Sequence, residues 1–306
     1  MPRTIYKAFR FGDSSLALIE KANLILAEYA ARGIIVTLRQ LYYQFVARDL
    51  IPNKQSEYKR LGSIVNDARL AGMIDWSYLQ DRTRNLVSLS HWSDPAGVIQ
   101  SAAASYHRDL WEDQENYVEV WIEKDALIGV IEGVCEELDV AYFSCRGYTS
   151  QSEMWGAAQR LRIKERRGRS THVVHLGDHD PSGRDMSRDI QERLELFRSH
   201  VKLDRVALNM DQIEQYNPPP NPAKITDSRC AAYIAEFGDE SWELDALDPD
   251  VLTALIRQSI VERLDQDLWD EKRELQEQER EELTLASQRW ADVQKFLQGG
   301  ESLNGD

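Results

Sequence analysis

The stretch THVVHLGDHDPSGRD, residues 171–185, decides how the chain reads. It opens with a short apolar run, His172-Val173-Val174-His175-Leu176, with the length and β-branched content of a buried strand. Gly177 breaks the run, and two carboxylates follow two positions apart, Asp178 and Asp180. Pro181, Ser182 and Gly183 make a tight loop, and Arg184 begins a helical pattern. At a strand end, side chains two positions apart point to one side. Paired hard oxygen ligands there suit Mg²⁺, which takes one or two carboxylates and completes its shell with water and phosphate oxygens. An isolated D-x-D is more often a turn that caps a helix, so the surroundings decide.

Upstream, residues 117–122 alternate as a strand and end in Glu123-Lys124-Asp125. A helix over 126–138 leads to a second strand over 140–144, closed by Cys145-Arg146-Gly147-Tyr148. Another helix covers 150–164, and a basic loop follows, with Arg160, Arg162, Lys164, Arg166, Arg167 and Arg169 in ten residues. Residues 171–176 are the third strand, a helix runs to about 200, and residues 205–208 form a fourth strand. Strands alternating with helices predict an α/β domain with a parallel sheet covered on both faces. Ligands of such sheets sit beyond the carboxyl ends of the strands. Glu123, Arg146 and the Asp178/Asp180 pair all fall at that edge, a set suited to hold a cation and a phosphate together.

The front of the chain is helical. Asp13-Ser14-Ser15 reads as the cap of a helix that stops at Gly33, and Thr37 caps a second, TLRQLYYQFVARD. A third runs over 56–71 and offers Lys59, Arg60, Asn66 and Arg69 on its polar side. Three short helices with a turn before the last resemble a helix-turn-helix, with the third in the major groove. Residues 74–76 and Asp81-Arg82-Thr83-Arg84 are expected to supply a wing. Beyond NPPPN, residues 217–221, helices are expected over 228–237 and 248–264, and a long charged helix over 264–296 faces solvent or a partner. Residues 299–306 are expected to fray. The predicted domains are 1–94 (winged-helix-like, DNA-binding), 95–116 (a helical linker), 117–216 (the sheet domain) and 217–306 (a helical region with an acidic tail).

At 306 residues and 42% hydrophobic content, the chain is long enough for more than one globular domain. Its net charge of −15 is uneven: residues 1–94 carry 13 Lys/Arg against 9 Asp/Glu, and residues 239–306 carry 7 against 19. A basic front and an acidic tail are compatible with DNA binding at the front. The three cysteines, Cys135, Cys145 and Cys230, show neither zinc spacing nor a disulfide framework. With no apolar run long enough for a membrane and no signal-peptide core, a cytoplasmic, nucleoid-associated setting is expected.

Together, VWIEKDAL, CRGYTS and VHLGDHDPSG resemble a Toprim domain, in the variant of the DNA-cleaving subunit of topoisomerase VI and its meiotic double-strand-break relatives. The front is similar to that family's winged-helix domain, and Arg39-Gln40-Leu41-Tyr42-Tyr43 matches its nucleophile motif, with Tyr43 at the tyrosine position. The similarity runs over about residues 14–260. Gln40 stands where an acidic residue is usual, and the segment after Tyr43 departs from the family's continuation. The resemblance implies Mg²⁺ or Mn²⁺ held by Glu123, Asp178 and Asp180, and double-stranded DNA as substrate. It implies a homodimer in which each tyrosine meets the partner's Toprim site, and an ATPase partner is a further possibility to which nothing in this chain corresponds. Tyr43 would attack a phosphodiester to give a 5′-phosphotyrosine link, with Arg39 one helical turn away holding the phosphate. Lys59, Arg60, Arg69, Lys124 and Arg146 are the candidate DNA contacts. Two alternatives stay open: a hydrolytic Toprim nuclease, in which water replaces the tyrosine, and a non-catalytic DNA-binding scaffold.

Overall fold

Four of the apolar runs become strands of one parallel sheet in the computed structural model, which describes residues 3–79, 89–222 and 229–299. Residues 1–84 and 116–263 form one compact unit, and residues 85–115 and 264–306 form a second. The segment 217–263, grouped with the C-terminal helices by sequence, thus belongs with the sheet.

The first unit opens with α1 (Asp13–Ala31), α2 (Leu38–Ala47) and α3 (Gln55–Leu70). Their apolar faces meet in one core that includes Ile19, Ile25, Leu26, Leu41, Phe45, Leu61 and Val65. Thr37 caps α2 as its sequence predicts, and Gln40 completes a capping box: Thr37 N donates to Gln40 Oε1 (2.7 Å) and Gln40 N to Thr37 Oγ1 (3.3 Å). Asp13 does not cap α1; it lies in the first turn, behind a Gly12 N-cap that has no side chain to offer. Residues 76–78 form a 3₁₀ turn, and the remainder of the expected wing, residues 81–84, lies outside the described residues.

After α4 (Pro95–Ser105), which belongs to the second unit, come β1 (Asn116–Ile122), α5 (Ile128–Glu137), β2 (Ala141–Ser144) and α6 (Gln151–Arg166). Then follow β3 (Ser170–Leu176), α7 (Pro181–Leu196), β4 (Lys202–Ala207) and α8 (Met210–Tyr216). The strand order is β2-β1-β3-β4, with every pairing parallel. Trp121 and Val173 turn to one face, under Met154, Ala157 and Leu161 of α6 and Ile190 and Leu194 of α7. The alternate positions Val120, Ile122, Val174 and Leu176 are also fully buried. A short ladder of β5 (Asn221–Pro222) and β6 (Glu240–Ser241) flanks α9 (Cys230–Phe237), and α10 (Pro249–Val261) packs on α5 and β4. β4 begins three residues earlier than its apolar run, because Lys202, Asp204 and Arg205 lie on an edge strand that tolerates polar side chains.

The basic segment is mostly helix rather than loop, since α6 continues to Arg166. Arg160 is spent inside the fold. It donates through Nε and Nη2 to both oxygens of Glu119 on β1 (2.8 and 2.9 Å), and Tyr117 and Trp121 complete that carboxylate's shell. Lys164 and Arg169 lie against the Tyr117 ring.

In the second unit α4 packs on α11 (Gln266–Gln288), which is followed by α12 (Trp290–Gly299). The expected linker helix ends at Ser105, and Arg108 then pairs with Glu279 while Arg108 N donates to Gln276 Oε1 (2.8 Å). Gln114 and Asp265 exchange two hydrogen bonds where the two segments meet (2.7 and 2.9 Å). The long charged helix thus covers part of its own chain. Among the described residues, no helix is long and apolar enough to cross a membrane. Residues 300–306 lie outside the described residues.

Two stability measurements probe this framework. Arg160→Met strands the buried Glu119 carboxylate and is expected to cost about 2 kcal/mol in urea unfolding, less than for a fully buried pair because Arg160 is half exposed. Arg166→Met should stay within about 0.5 kcal/mol of wild type, and equal losses would contradict the assignment. His175 is wholly buried against Ser187 (Nδ1···Oγ 3.0 Å), and burial pulls its pKa down to about 3 from 6.5. Its contribution is complete above pH 6.5 and is lost as the pH falls toward 3, because the unfolded ring takes up the proton first. Between pH 7 and 5 the wild type should lose about 2 kcal/mol more stability than His175→Gln; parallel profiles would refute this.

Candidate active site

The site is built by register. Ile122 of β1 lies beside Leu176 of β3, so the residues that follow each strand emerge together at one sheet edge. Glu123 N donates to Leu176 O (2.9 Å), and the Glu123 side chain returns to accept from Asp178 N through Oε2 (2.9 Å). Asp180 is the N-cap of α7: its Oδ1 accepts from Gly183 N (2.6 Å) and from Ser182 Oγ (3.1 Å), with Pro181 opening the helix. The capping role of the D-x-D therefore holds for Asp180 itself, while Asp178 faces other charges.

Gly183 is dictated by the close approach of the loop to its own helix. A Cβ there would stand 2.3 Å from Asp178 O and 3.1 Å from Glu123 Oε2. From β4, the Arg205 guanidinium clamps the same loop, donating to the carbonyls of Gly177 (2.9 Å), Asp178 (2.6 Å) and Gly183 (3.0 Å) and to Ser187 Oγ (2.7 Å). Burial lowers its pKa to about 10.

Asp178 Oδ1 accepts from Leu244 N (2.8 Å) and pairs with Lys124 Nζ (3.0 Å). The same ammonium reaches Glu243 Oε2 (2.9 Å) and Asp245 Oδ1 (2.8 Å). Arg39 of α2 continues the network, with Nε 3.1 Å from Asp245 Oδ2 and Nη2 bonded to Glu243. Burial pushes Asp178 up to about 7; Lys124 opposes this, and the neighbouring Glu123 and Asp245 add to it. Burial likewise raises Glu123 and Asp245. For Glu243 burial pushes the same way, but Lys124 and Arg39 outweigh it and hold the carboxyl at about 2.

Tyr43 adjoins this network. It is 3% exposed, and Arg39 lies 6.0 Å from its ring centre. Burial, then Asp245 and Glu243, push its hydroxyl up to about 12, with hydrogen bonding to Asn221 and Arg39 pulling back. A pocket of about 260 Å³ opens beside it, lined by Arg39, Tyr42, Tyr58, Asn53, Asn221 and Glu243, among others.

The structure thus gathers Arg39, Tyr43, Glu123, Lys124, Asp178 and Asp180 from the sequence-predicted set. Arg146 turns away: in a left-handed backbone conformation (φ 49°), it is 73% exposed and pairs with Asp125 (3.1 Å). Lys59 is exposed on α3, and Arg60 pairs with Glu57 (3.1 Å). Arg69 bonds the carbonyls of Trp76 and Leu79 and lies over the Trp76 ring at 4.2 Å. Sequence reasoning missed Glu243, Asp245, Arg205 and Asn221. The acidic pair repeats the i, i+2 spacing of the D-x-D, but its neighbourhood depends on a two-residue antiparallel bridge, His179 N to Trp242 O (2.8 Å) and Trp242 N to His179 O (2.9 Å).

Among the described residues, no three His, Cys, Asp or Glu side chains gather closely enough to form a metal-binding group. The donor chemistry nevertheless fits a hard cation. Glu123 and Asp178 are buried carboxylates driven toward protonation, a cost that a divalent ion removes, and Glu123 Oε1 and Asp178 Oδ2 lie outside the bonds described above. No protein-family model and no curated protein matches the chain.

Gly183→Ala is expected to destabilise the protein by about 2 kcal/mol through the clash with Asp178 O. Gly156→Ala in α6, where a Cβ meets nothing within 4 Å, should be neutral or stabilising by up to about 1 kcal/mol. Equal denaturation midpoints for both variants would contradict the packing of the loop.

Proposed function

We propose that the chain is a DNA strand-cleaving enzyme with a Toprim domain and a winged-helix-like front, in the manner of the DNA-cleaving subunit of topoisomerase VI. The observation that carries this reading is the meeting of Glu123 and the Asp178–Gly183 loop at one parallel-sheet edge, connected to Tyr43 through Lys124, Glu243 and Arg39. Double-stranded DNA is the proposed substrate, and a second copy of the chain is the proposed partner for cutting the second strand. Mg²⁺ or Mn²⁺, held by Glu123 and Asp178, with Asp180 the third carboxylate of the sequence pattern, would neutralise charge developing on the phosphate oxygens.

In this reading Arg39 binds the scissile phosphate. A phosphodiester supplies the planar oxygen pair that a guanidinium matches, so it competes with Glu243 for Arg39. The Tyr43 oxygen bonds to phosphorus, the bond to the 3′-oxygen breaks, and that oxygen leaves with a proton taken from solvent, since Glu123 as a metal ligand carries none. The phenolic proton leaves to solvent through the adjoining pocket once Arg39 has shifted toward the phosphate. Reversal restores the strand.

One observation favours hydrolysis instead. Tyr43 is nearly buried, and its hydroxyl is held at about 12, which makes it a poor nucleophile as it stands. In that reading water attacks, Glu123 or Asp178 accepts its proton, and Tyr43 serves only as core.

Supercoiled plasmid incubated with the protein and Mg²⁺ or Mn²⁺ should be nicked or linearised, and Asp178→Asn should lower the rate at least about a hundredfold. Intact plasmid across both metals and a range of salt would overturn the cleavage reading. Protein trapped on DNA 5′ ends by SDS, and lost in Tyr43→Phe, supports transesterification. Equal cutting by wild type and Tyr43→Phe selects hydrolysis.

A further inference from the structure

The first residues of the chain take no part in the site at the sheet edge, yet they form a defined surface. Residues 3–12, RTIYKAFRFG, hold three cations and four large apolar side chains and no carboxylate, in a chain of net charge −15. They do not trail free. Tyr6 N and Lys7 N both donate to Leu70 O at the end of α3 (2.8 and 3.0 Å), and Arg3 bonds Asn23 (3.2 Å), which in turn bonds Met73 O (3.0 Å). Gly72, at φ +70°, lets the arm lie close: a Cβ there would be 3.0 Å from Thr4 C and from Ile5 Cγ1.

Thus fixed, the arm presents side chains that a folded protein normally buries. Ile5 and Tyr6 are 70% and 68% exposed, and Tyr6 meets the exposed Trp76 edge-on, with ring centres 6.1 Å apart. Lys7 Nζ stands 4.9 Å from the centre of the Phe9 ring, which stacks on Phe11. Among the described residues neither Lys7 nor Arg10 forms an ion pair. Asp75, which precedes Trp76, is occupied by Ser77 N (2.9 Å) and Ser77 Oγ (2.7 Å).

We propose that this arm and the Trp76 turn bind single-stranded nucleic acid, with Lys7 and Arg10 on the phosphates and Tyr6, held against Trp76, stacked on an unpaired base. Charge complementarity selects a polyanion. The exposed rings select unpaired bases, because a duplex offers its base faces only to one another and leaves side chains the edges. This surface is separate from the cleavage site and uses none of its residues.

Fluorescence anisotropy of the full chain with labelled dT12, rU12 and a 12-base-pair duplex tests it between 50 and 200 mM salt. The single strands should bind with a steep salt dependence, and the dT12-to-rU12 ratio tells DNA from RNA. Tyr6→Ala/Trp76→Ala should weaken single-strand binding about tenfold and leave the duplex unchanged. Lys7→Glu/Arg10→Glu should weaken binding similarly and flatten the salt dependence. If Trp76→Ala lowers the melting temperature, Tyr6→Ala alone carries the aromatic test. Absence of single-strand binding, or unchanged binding in both variants, overturns the proposal. So does the loss, in these variants, of binding to phosphatidylserine vesicles alone. Plasmid nicking by the same preparations separates the two ideas: nicking without dT12 binding removes only the arm, and dT12 binding without nicking removes only the cleavage reading.

Discussion

One ammonium group organises the site. Lys124 Nζ lies within 3.0 Å of carboxylates on Asp178, Glu243 and Asp245, and its side chain is mostly withdrawn from water. Burying a lone ammonium would depress its pKa; here three carboxylates outweigh burial and drive it upward. The converse also holds. Without Lys124, Asp178 and the wholly buried Asp245 would face each other's charge, with Arg39 beside Asp245 and Arg205 beside Asp178 left to offset it. Such a network contributes little net stability over an apolar core of the same volume, since desolvation consumes most of the attraction. What it does is fix geometry, because each charge tolerates few positions that leave it compensated.

That constraint joins parts of the chain that have no local reason to meet. The D-x-D loop comes from β3, Lys124 from the end of β1, the acidic pair from residues 243–245 and Arg39 from α2. Arg205 secures the loop from beneath through four backbone carbonyls and Ser187. Gly183 lets the start of α7 fold back onto Asp178. Backbone hydrogen bonds therefore hold the loop, and side-chain charge decides what stands before it. A substitution in the clamp and one in the charge network disturb different properties, the first the position of the carboxylates and the second their protonation.

The two central strands were legible because burial on both faces writes itself as apolar runs: VEVWI and HVVHL became strands within one or two residues of the expected ends, and VAYF did so at one edge of the sheet. The other edge strand, β4, was less legible, since Lys202 and Asp204 carry no apolar signal. The Glu123 and Asp178 positions followed from strand ends. Arg146 shows the limit of that rule: a strand end locates a Cα, and a left-handed turn then aims the side chain at Asp125. Glu243 and Asp245 were illegible for a different reason. A two-residue bridge from His179 to Trp242 brings them in, and pairing that short has no periodicity to detect. The basic cluster failed because composition reports charge without partners. Arg160 and Lys164 are one helical turn apart and both face β1, onto Glu119 and Tyr117.

Tyr43 is the point at which the electrostatics bear most directly on chemistry. Its hydroxyl is raised first by burial and then by the same two acids, Asp245 and Glu243, that Arg39 and Lys124 neutralise. The cations are thus shared among carboxylates, and a tyrosinate receives little of their field. A phosphodiester entering the pocket beside Arg39 adds negative charge to the acceptors already competing for that guanidinium. Arg39 then serves the phosphate only by loosening its hold on Glu243, and with it one of the ties between α2 and the 243–245 segment. An anion on Arg39 and the hold of α2 on the 243–245 segment are, on these contacts, opposite sides of one exchange.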